Sequence, residues 1–261
     1  MNLSYLIIFA TVAVFALIDY LPRIISLKKQ PIIAINNRIA SSDYLILVTV
    51  YGDISYFKNY EFLSKYSKNV LICTTRSESP EFYKDLNSIC NKYNFRQIRV
   101  SAVFNGTLHK CAYYIFRQVL PFCNRARSVI LMDADTYSIQ NINNLVAAFE
   151  TSNKDICSLR VLAHNPQSTI EKLQDFEYRN AMDTRRLDSW QTSGAAMIGK
   201  VDSLLTIFNT HSNFFDGGDV EVGRLAQAMQ MDIGYIQFDF YTIVPETVAE
   251  WFKQRIMWFS G

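Results

Sequence analysis

Short runs of continuous apolar residues recur along this chain, and the stretches between them carry helical spacing. Tyr44–Val50 (YLILVTV) is rich in β-branched residues and too short for a helix, so it reads as a strand buried on both faces. Val70–Thr74, Ile98–Val103 and Val129–Met132 repeat the signal. Ser79-Pro80-Glu81 opens the helix between the second and third runs, with Ser as N-cap, Pro in the first turn and an acid beside it. Farther on, the pattern predicts strands near Ile156–Val161, Thr192–Ile198 and Tyr235–Phe238. It predicts helices over about Ser168–Arg186, from about Asp219, and from about Glu246. Strand–helix–strand repetition implies an α/β domain built on a parallel sheet, in which ligands bind beyond the carboxyl ends of the strands. Chemistry is therefore expected just after each apolar run.

Nucleic acid is not an expected partner, because 26 basic residues against 24 acidic ones leave a net charge of only +2. A 49% hydrophobic composition excludes a disordered chain. Cys73, Cys90, Cys111, Cys123 and Cys157 form an odd set without a Cys-x-x-Cys pair, which suits a reducing compartment. At the N-terminus every residue from Tyr5 to Ile18 except Thr11 is apolar, and the first charge is Asp19. A helix from Leu3 to Pro22 covers about 30 Å, enough to cross a bilayer once. No basic region precedes the run and no small-x-small site follows it, so a signal peptide is disfavoured. Arg23, Lys28, Lys29 and Arg38 then place the remainder on the cytoplasmic side. The expected organisation is a transmembrane anchor at 1–22, a basic juxtamembrane linker at 23–42 and a catalytic domain at 43–261. The Asn105-Gly106-Thr107 sequon would then face the wrong compartment for glycosylation.

Asp133 and Asp135 follow the fourth strand in Met132-Asp133-Ala134-Asp135. On extended backbone both carboxylates share a face, a set suited to Mg²⁺ or Mn²⁺ with substrate phosphates; the alternative is two solvated loop acids. Asp219 sits behind Gly217-Gly218 at a helix start, where it either caps the helix or takes a proton from an attacking hydroxyl. Gln254 and Trp258 share a helix face that offers a polar group and a flat ring to a sugar, or an interfacial aromatic to lipid. Ser193-Gly194-Ala195-Ala196 serves either close packing or close approach of a substrate to backbone. Lys110 binds phosphate or is simply solvated. His109, His164 and His211 lack metal-ligand spacing.

Taken in order, these pieces resemble the family 2 glycosyltransferases, in particular the membrane-bound branch of hyaluronan, chitin and cellulose synthases. The match runs from Tyr44 to Gly261 through Asp133-Ala134-Asp135, Gln174-Asp175-Phe176-Glu177-Tyr178, Ser193-Gly194, Gly218-Asp219-Val220-Glu221 and Pro245-Glu246-Thr247. It ends with Lys253-Gln254-Arg255-Ile256-Met257-Trp258. The resemblance implies a GT-A-like, mixed but mainly parallel sheet flanked by helices. It also implies a nucleotide-diphosphate-sugar donor, usually a UDP-sugar, and inverting transfer to a glycan or lipid-linked acceptor. Asp219 would be the general base. Tyr51, Asp53, Thr75, Lys110, Asp133 and Asp135 would bind the donor, with Asp135 holding the divalent metal. Ser193, Gly194, Gln254 and Trp258 would line the acceptor and diphosphate side.

Two positions depart from the family. Cys73-Thr74-Thr75-Arg76 stands where an Asp usually contacts the base, and Met257 stands at an Arg position. Arg255 lies two residues earlier, ~200° around a helix, and does not simply replace that Arg. These losses favour an alternative reading, a catalytically weak or inactive sugar-nucleotide-binding subunit serving a membrane partner. The chain ends three residues after Trp258, and one helix cannot enclose a polar path through hydrocarbon, so polymer export by this chain alone is not expected.

Overall fold

Among the described residues, seven strands form one sheet in the order β3-β2-β1-β4-β6-β5-β7. They are β1 (Tyr44–Thr49), β2 (Val70–Thr75), β3 (Arg96–Val100), β4 (Ser128–Asp133), β5 (Ile156–Ala163), β6 (Ala196–Lys200) and β7 (Ile233–Thr242). The helices are α1 (Tyr60–Ser64), α2 (Pro80–Tyr93), α3 (Ala112–Val119), α4 (Ile142–Ser152), α5 (Thr169–Leu187), α6 (Val201–Thr210), α7 (Gly218–Ala228) and α8 (Val248–Phe259). This computed structural model describes residues 14, 32–35, 43–101, 112–123, 125–187, 189–211 and 218–259, and of 112–115, 218 and 257–259 the backbone alone. Among the described residues no helix is long and apolar enough to cross a membrane. The expected anchor, Leu3–Pro22, lies outside them.

The half of the sheet made by β3, β2, β1 and β4 is parallel, as the strand–helix repeats predict. β6 runs antiparallel to both β4 and β5, while β5 and β7 pair in parallel. Strand pleating sends alternate side chains to opposite faces. Ile46 and Val48 of β1 join Phe82, Leu86, Leu145 and Phe149 on one face, whereas Leu45 and Leu47 join Phe116, Val119, Leu204 and Phe208 on the other. Burial on both faces explains why β1 and β2 read as unbroken apolar runs. Within the expected linker, Ile33 bridges Ile236 on the outer edge of β7, and its N–H donates to the Tyr235 carbonyl at 3.2 Å.

Helix starts follow local capping chemistry. The Ser79 hydroxyl accepts from the Phe82 N–H at 3.1 Å, as Ser79-Pro80-Glu81 predicts. α5 and α8 both begin with reciprocal capping boxes, Ser168 with Glu171 and Thr247 with Glu250. The second box moves the start of α8 to Val248, two residues past the expected Glu246. α6 was not anticipated, although Leu204, Ile207 and Phe208 carry the i, i+3, i+4 spacing of a buried helix face. The strand expected at Thr192–Ile198 begins only at Ala196, because the Thr192 N–H turns back to the Trp190 carbonyl and the Gly194 N–H goes to Asp219 on α7 instead of to a neighbouring strand.

Candidate active site at the carboxyl ends of the strands

β4 delivers the acidic pair. It lies in register between β1 and β6, with Thr49 opposite Asp133 and Met132 opposite Ala196, and the Asp133 N–H donates to the Ala195 carbonyl at 3.1 Å. The turn beyond is gripped by the segment after β1. Buried Asn59 donates through Nδ2 to the carbonyls of Asp133 at 3.0 Å and Thr136 at 2.6 Å. The N–H groups of Lys58 and Asn59 both donate to the Ala134 carbonyl. Sequence reasoning missed Asn59; its only signal is a polar residue beside the buried Phe57.

Burial, followed by the charges of Asp135 and Asp219, holds the Asp133 carboxyl well above the usual carboxylate range. Burial also raises Asp135, against opposing hydrogen bonds from Thr242 and Thr136 and the positive charge of Lys58. Asp133 at the end of β4, Asp135 just beyond it and Asp219 on α7 thus lie near enough for the like charge of the other two to bear on Asp133. Among the described residues no group of three or more His, Cys, Asp or Glu side chains could hold a metal by itself. Two hard oxygen donors at a strand end do fit a Mg²⁺ or Mn²⁺ that completes its shell with substrate phosphates.

Asp219 stands in the first turn of α7, and its Oδ2 accepts the Gly194 N–H at 2.8 Å. Ser193 is buried next to it. The approach is close, since a Cβ on Gly194 would lie 3.4 Å from Asp219 Oδ2. The sheet and α7 place Asp133, Asp135, Ser193, Gly194 and Asp219 near one another.

The residues expected to contact the nucleotide lie beyond β1 and β2. Tyr51 packs against the core behind β1. Asp53 instead caps the turn Ile54–Tyr56, accepting from the Ser55 N–H at 2.8 Å, and that bond lowers its carboxyl below the ordinary range. Buried Thr75 donates to Glu78 Oε1 at 2.7 Å, and the Gly52 N–H donates to Glu78 Oε2 at 3.1 Å. A carboxylate thus reaches the place where the Cys73-Thr74-Thr75-Arg76 sequence lacks one. Glu78 escaped the sequence reading because it comes from the bend between β2 and α2, three residues after Thr75.

α5 contributes a stripe along its inner face. Gln174 donates to the Pro245 carbonyl at 2.8 Å, anchoring the lead into α8. Burial pushes the Tyr178 phenol up to about 12, with the charges of Arg255 and Asp135 acting in opposite senses. Burial lowers the Arg185 guanidinium from its usual value, while the charge of Asp219 favours its protonated form. Arg255 is held by Glu177 at 2.5 Å and lies over the Trp251 ring, so it is committed to joining α8 to α5. Gln254 is half-buried, with Oε1 lacking a hydrogen-bond partner in the described structure. Trp258 lies on α8, but its side chain, like the whole of Lys110, falls outside the described residues.

No protein-family model matches this sequence, and no curated protein matches it. Solved structures match its fold. A mannosyltransferase from Pyrobaculum calidifontis, PcManGT, in complex with GDP-Man and Mn²⁺, gives a TM-score of 0.65 at 12% identity over 96% of this chain and 70% of that one. GalNAc-T7 with UDP, GalNAc and Mn²⁺ gives a TM-score of 0.51 at 9% identity over 77% of this chain and 43% of that one. The chain thus has the α/β fold seen in these nucleotide-sugar glycosyltransferases, with Asp133, Asp135 and Asp219 near the carboxyl end of β4.

Proposed function

We propose that the protein is a membrane-anchored, inverting glycosyltransferase that moves a sugar from a nucleotide-diphosphate donor, a UDP-sugar in the first instance, to a hydroxyl of a glycan or lipid-linked acceptor. The observation that carries this reading is the convergence of Asp133 and Asp135 at the end of β4 with Asp219 on Gly194. Asp219 accepts the proton of the acceptor hydroxyl. The acceptor oxygen then bonds to the anomeric carbon, while the bond from that carbon to the diphosphate breaks and its electron pair leaves with the phosphate. Asp135, with Asp133, would hold a divalent cation, which would supply positive charge to the departing diphosphate. Glu78, steadied by Thr75 and Gly52, accepts hydrogen bonds from N–H groups of the base.

A bilayer-facing placement is supported by α8. Val248, Phe252 and Ile256 repeat every fourth residue on one face and are 60%, 60% and 52% exposed. Leu173 and Phe176 are exposed on α5, which the Arg255–Glu177 pair ties to α8. Together with the apolar N-terminal segment, this suits a catalytic domain resting against the cytoplasmic surface of a membrane.

The test is release of nucleoside diphosphate from a panel of UDP- and GDP-sugars with Mn²⁺, Mg²⁺ or chelator. Asp135→Asn should weaken metal-dependent donor binding, whereas Asp219→Asn should leave donor binding nearly intact and slow turnover by ~10²–10⁴. Equal loss of donor affinity in both variants overturns the assignment of roles. Donor binding without turnover on any sugar favours the inactive-subunit reading, to which Met257 and the committed Arg255 would then belong.

A further inference from the structure

The helix that bears Asp219 is fastened to the segment before β6 in a way that no capping interaction requires. Gly223 lies one turn beyond Asp219 on the same face of α7. A Cβ there would fall 1.5 Å from the Trp190 carbonyl oxygen, 2.6 Å from its carbon and 3.3 Å from Thr192 Oγ1. The backbone of α7 therefore rests directly on a carbonyl, and no other residue fits. Glycine inside a helix costs ~1 kcal/mol relative to alanine, so its presence mid-helix calls for an offsetting reason such as this close approach. The same short loop then reaches forward. Its Thr192 N–H donates to the Trp190 carbonyl at 2.9 Å, closing a tight turn. The buried Thr192 hydroxyl donates to the Asp219 carbonyl oxygen, and the Gly194 N–H donates to Asp219 Oδ2. Outside this seat, Arg224 lies 5.8 Å from the centre of the Trp190 ring.

We propose that Thr192 and Gly223 are positioning residues for the catalytic base, a proposal that rests on the reading of Asp219 as that base. Gly223 sets how closely α7 approaches the loop, Thr192 fixes the backbone of residue 219, and Gly194 engages one carboxylate oxygen so that the other is aimed at the acceptor hydroxyl. Neither positioning residue touches substrate. Their effect is on geometry, and a general base is sensitive to it: proton transfer needs heavy atoms ~2.6–3.2 Å apart, and a misplacement of about 1 Å costs on the order of 10²-fold in rate.

The experiment uses the full chain in detergent with the UDP-sugar that supports turnover and Mn²⁺. It compares Thr192→Val, Thr192→Ser, Gly223→Ala and Asp219→Asn by turnover, by UDP affinity with Mn²⁺ in calorimetry, and by thermal unfolding. Thr192→Val, which keeps the shape and removes the hydroxyl, should lose at least ~10-fold in turnover while UDP affinity stays within about twofold. Thr192→Ser should restore turnover. Gly223→Ala should lose ~10² or more, and because this variant can disturb folding of α7, the Thr192 pair decides the matter. Wild-type turnover in Thr192→Val, failure of Thr192→Ser to restore it, or a parallel fall in UDP affinity would each overturn the proposal. An inactive Asp219→Asn beside an unaffected Thr192→Val refutes the positioning role alone, whereas an active Asp219→Asn refutes the base assignment and the positioning role with it.

Discussion

Replacing Asn59 by alanine should weaken the donor site through the turn that carries Asp133 and Asp135. The side chain is 3% exposed, and its Nδ2 holds the carbonyls of Asp133 and Thr136. Removing it orphans the Thr136 carbonyl at ~1–3 kcal/mol, whereas the Asp133 carbonyl keeps the Thr136 N–H and loses one bond at ~0.5–1.5 kcal/mol. One saving opposes this, since Asn59 Oδ1 is itself buried without a partner and its removal returns about as much as the Thr136 carbonyl loses. The net cost is about 1 kcal/mol. For a chain of this size that corresponds to a fall of roughly 2–4 °C in Tm. The backbone bonds from Lys58 and Asn59 to Ala134 survive the substitution, so the turn should loosen without being lost. Denaturant unfolding reads the first quantity and calorimetric titration of UDP with Mn²⁺ the second, with affinity expected to fall about fivefold. A change below ~0.5 kcal/mol with donor affinity intact would show that the backbone bonds alone hold the turn. A stability loss with affinity untouched would show that the turn does not set the donor site.

Three further outcomes follow from other parts of the molecule. Glu78→Gln retains a hydrogen-bonding oxygen but loses the charge, so UDP affinity in calorimetry should fall and discrimination between UDP and CDP should narrow; unchanged selectivity would remove Glu78 from the base pocket. Asp155 is an acid-labile tie: although burial opposes its charge, the Asp232 N–H, Lys200 and Ser203 lower its carboxyl overall. A depressed native value contributes stability above the unfolded pKa of ~3.9 and loses it as pH falls through the native value, so Asp155→Asn should flatten the acid limb of stability against pH in urea unfolding. Phe252→Glu, in the middle of the exposed face of α8, should reduce binding to anionic vesicles in a sedimentation assay while leaving turnover on a soluble donor unchanged; undiminished vesicle binding would remove α8 from the membrane contact.

Most of the scaffold was legible because its signals are local. β1, β2 and β4 announce themselves as apolar runs, since each is buried on both faces whatever it pairs with. The Asp133–Asp135 pair could be placed at a strand end by position alone, and the helix start at Ser79-Pro80 by capping chemistry. What tertiary structure alone decided involves partners far apart in sequence. β6 turns antiparallel between β4 and β5, and this places Gly194 beneath an acid 25 residues later. Asn59 grips a turn 74 to 77 residues away. Arg255 is drawn to Glu177, and Asp53 is spent on its own turn. Periodicity and capping are properties of a few neighbouring residues and survive in any packing. A carboxylate's partners, by contrast, are set by sheet order and register, which no local pattern encodes.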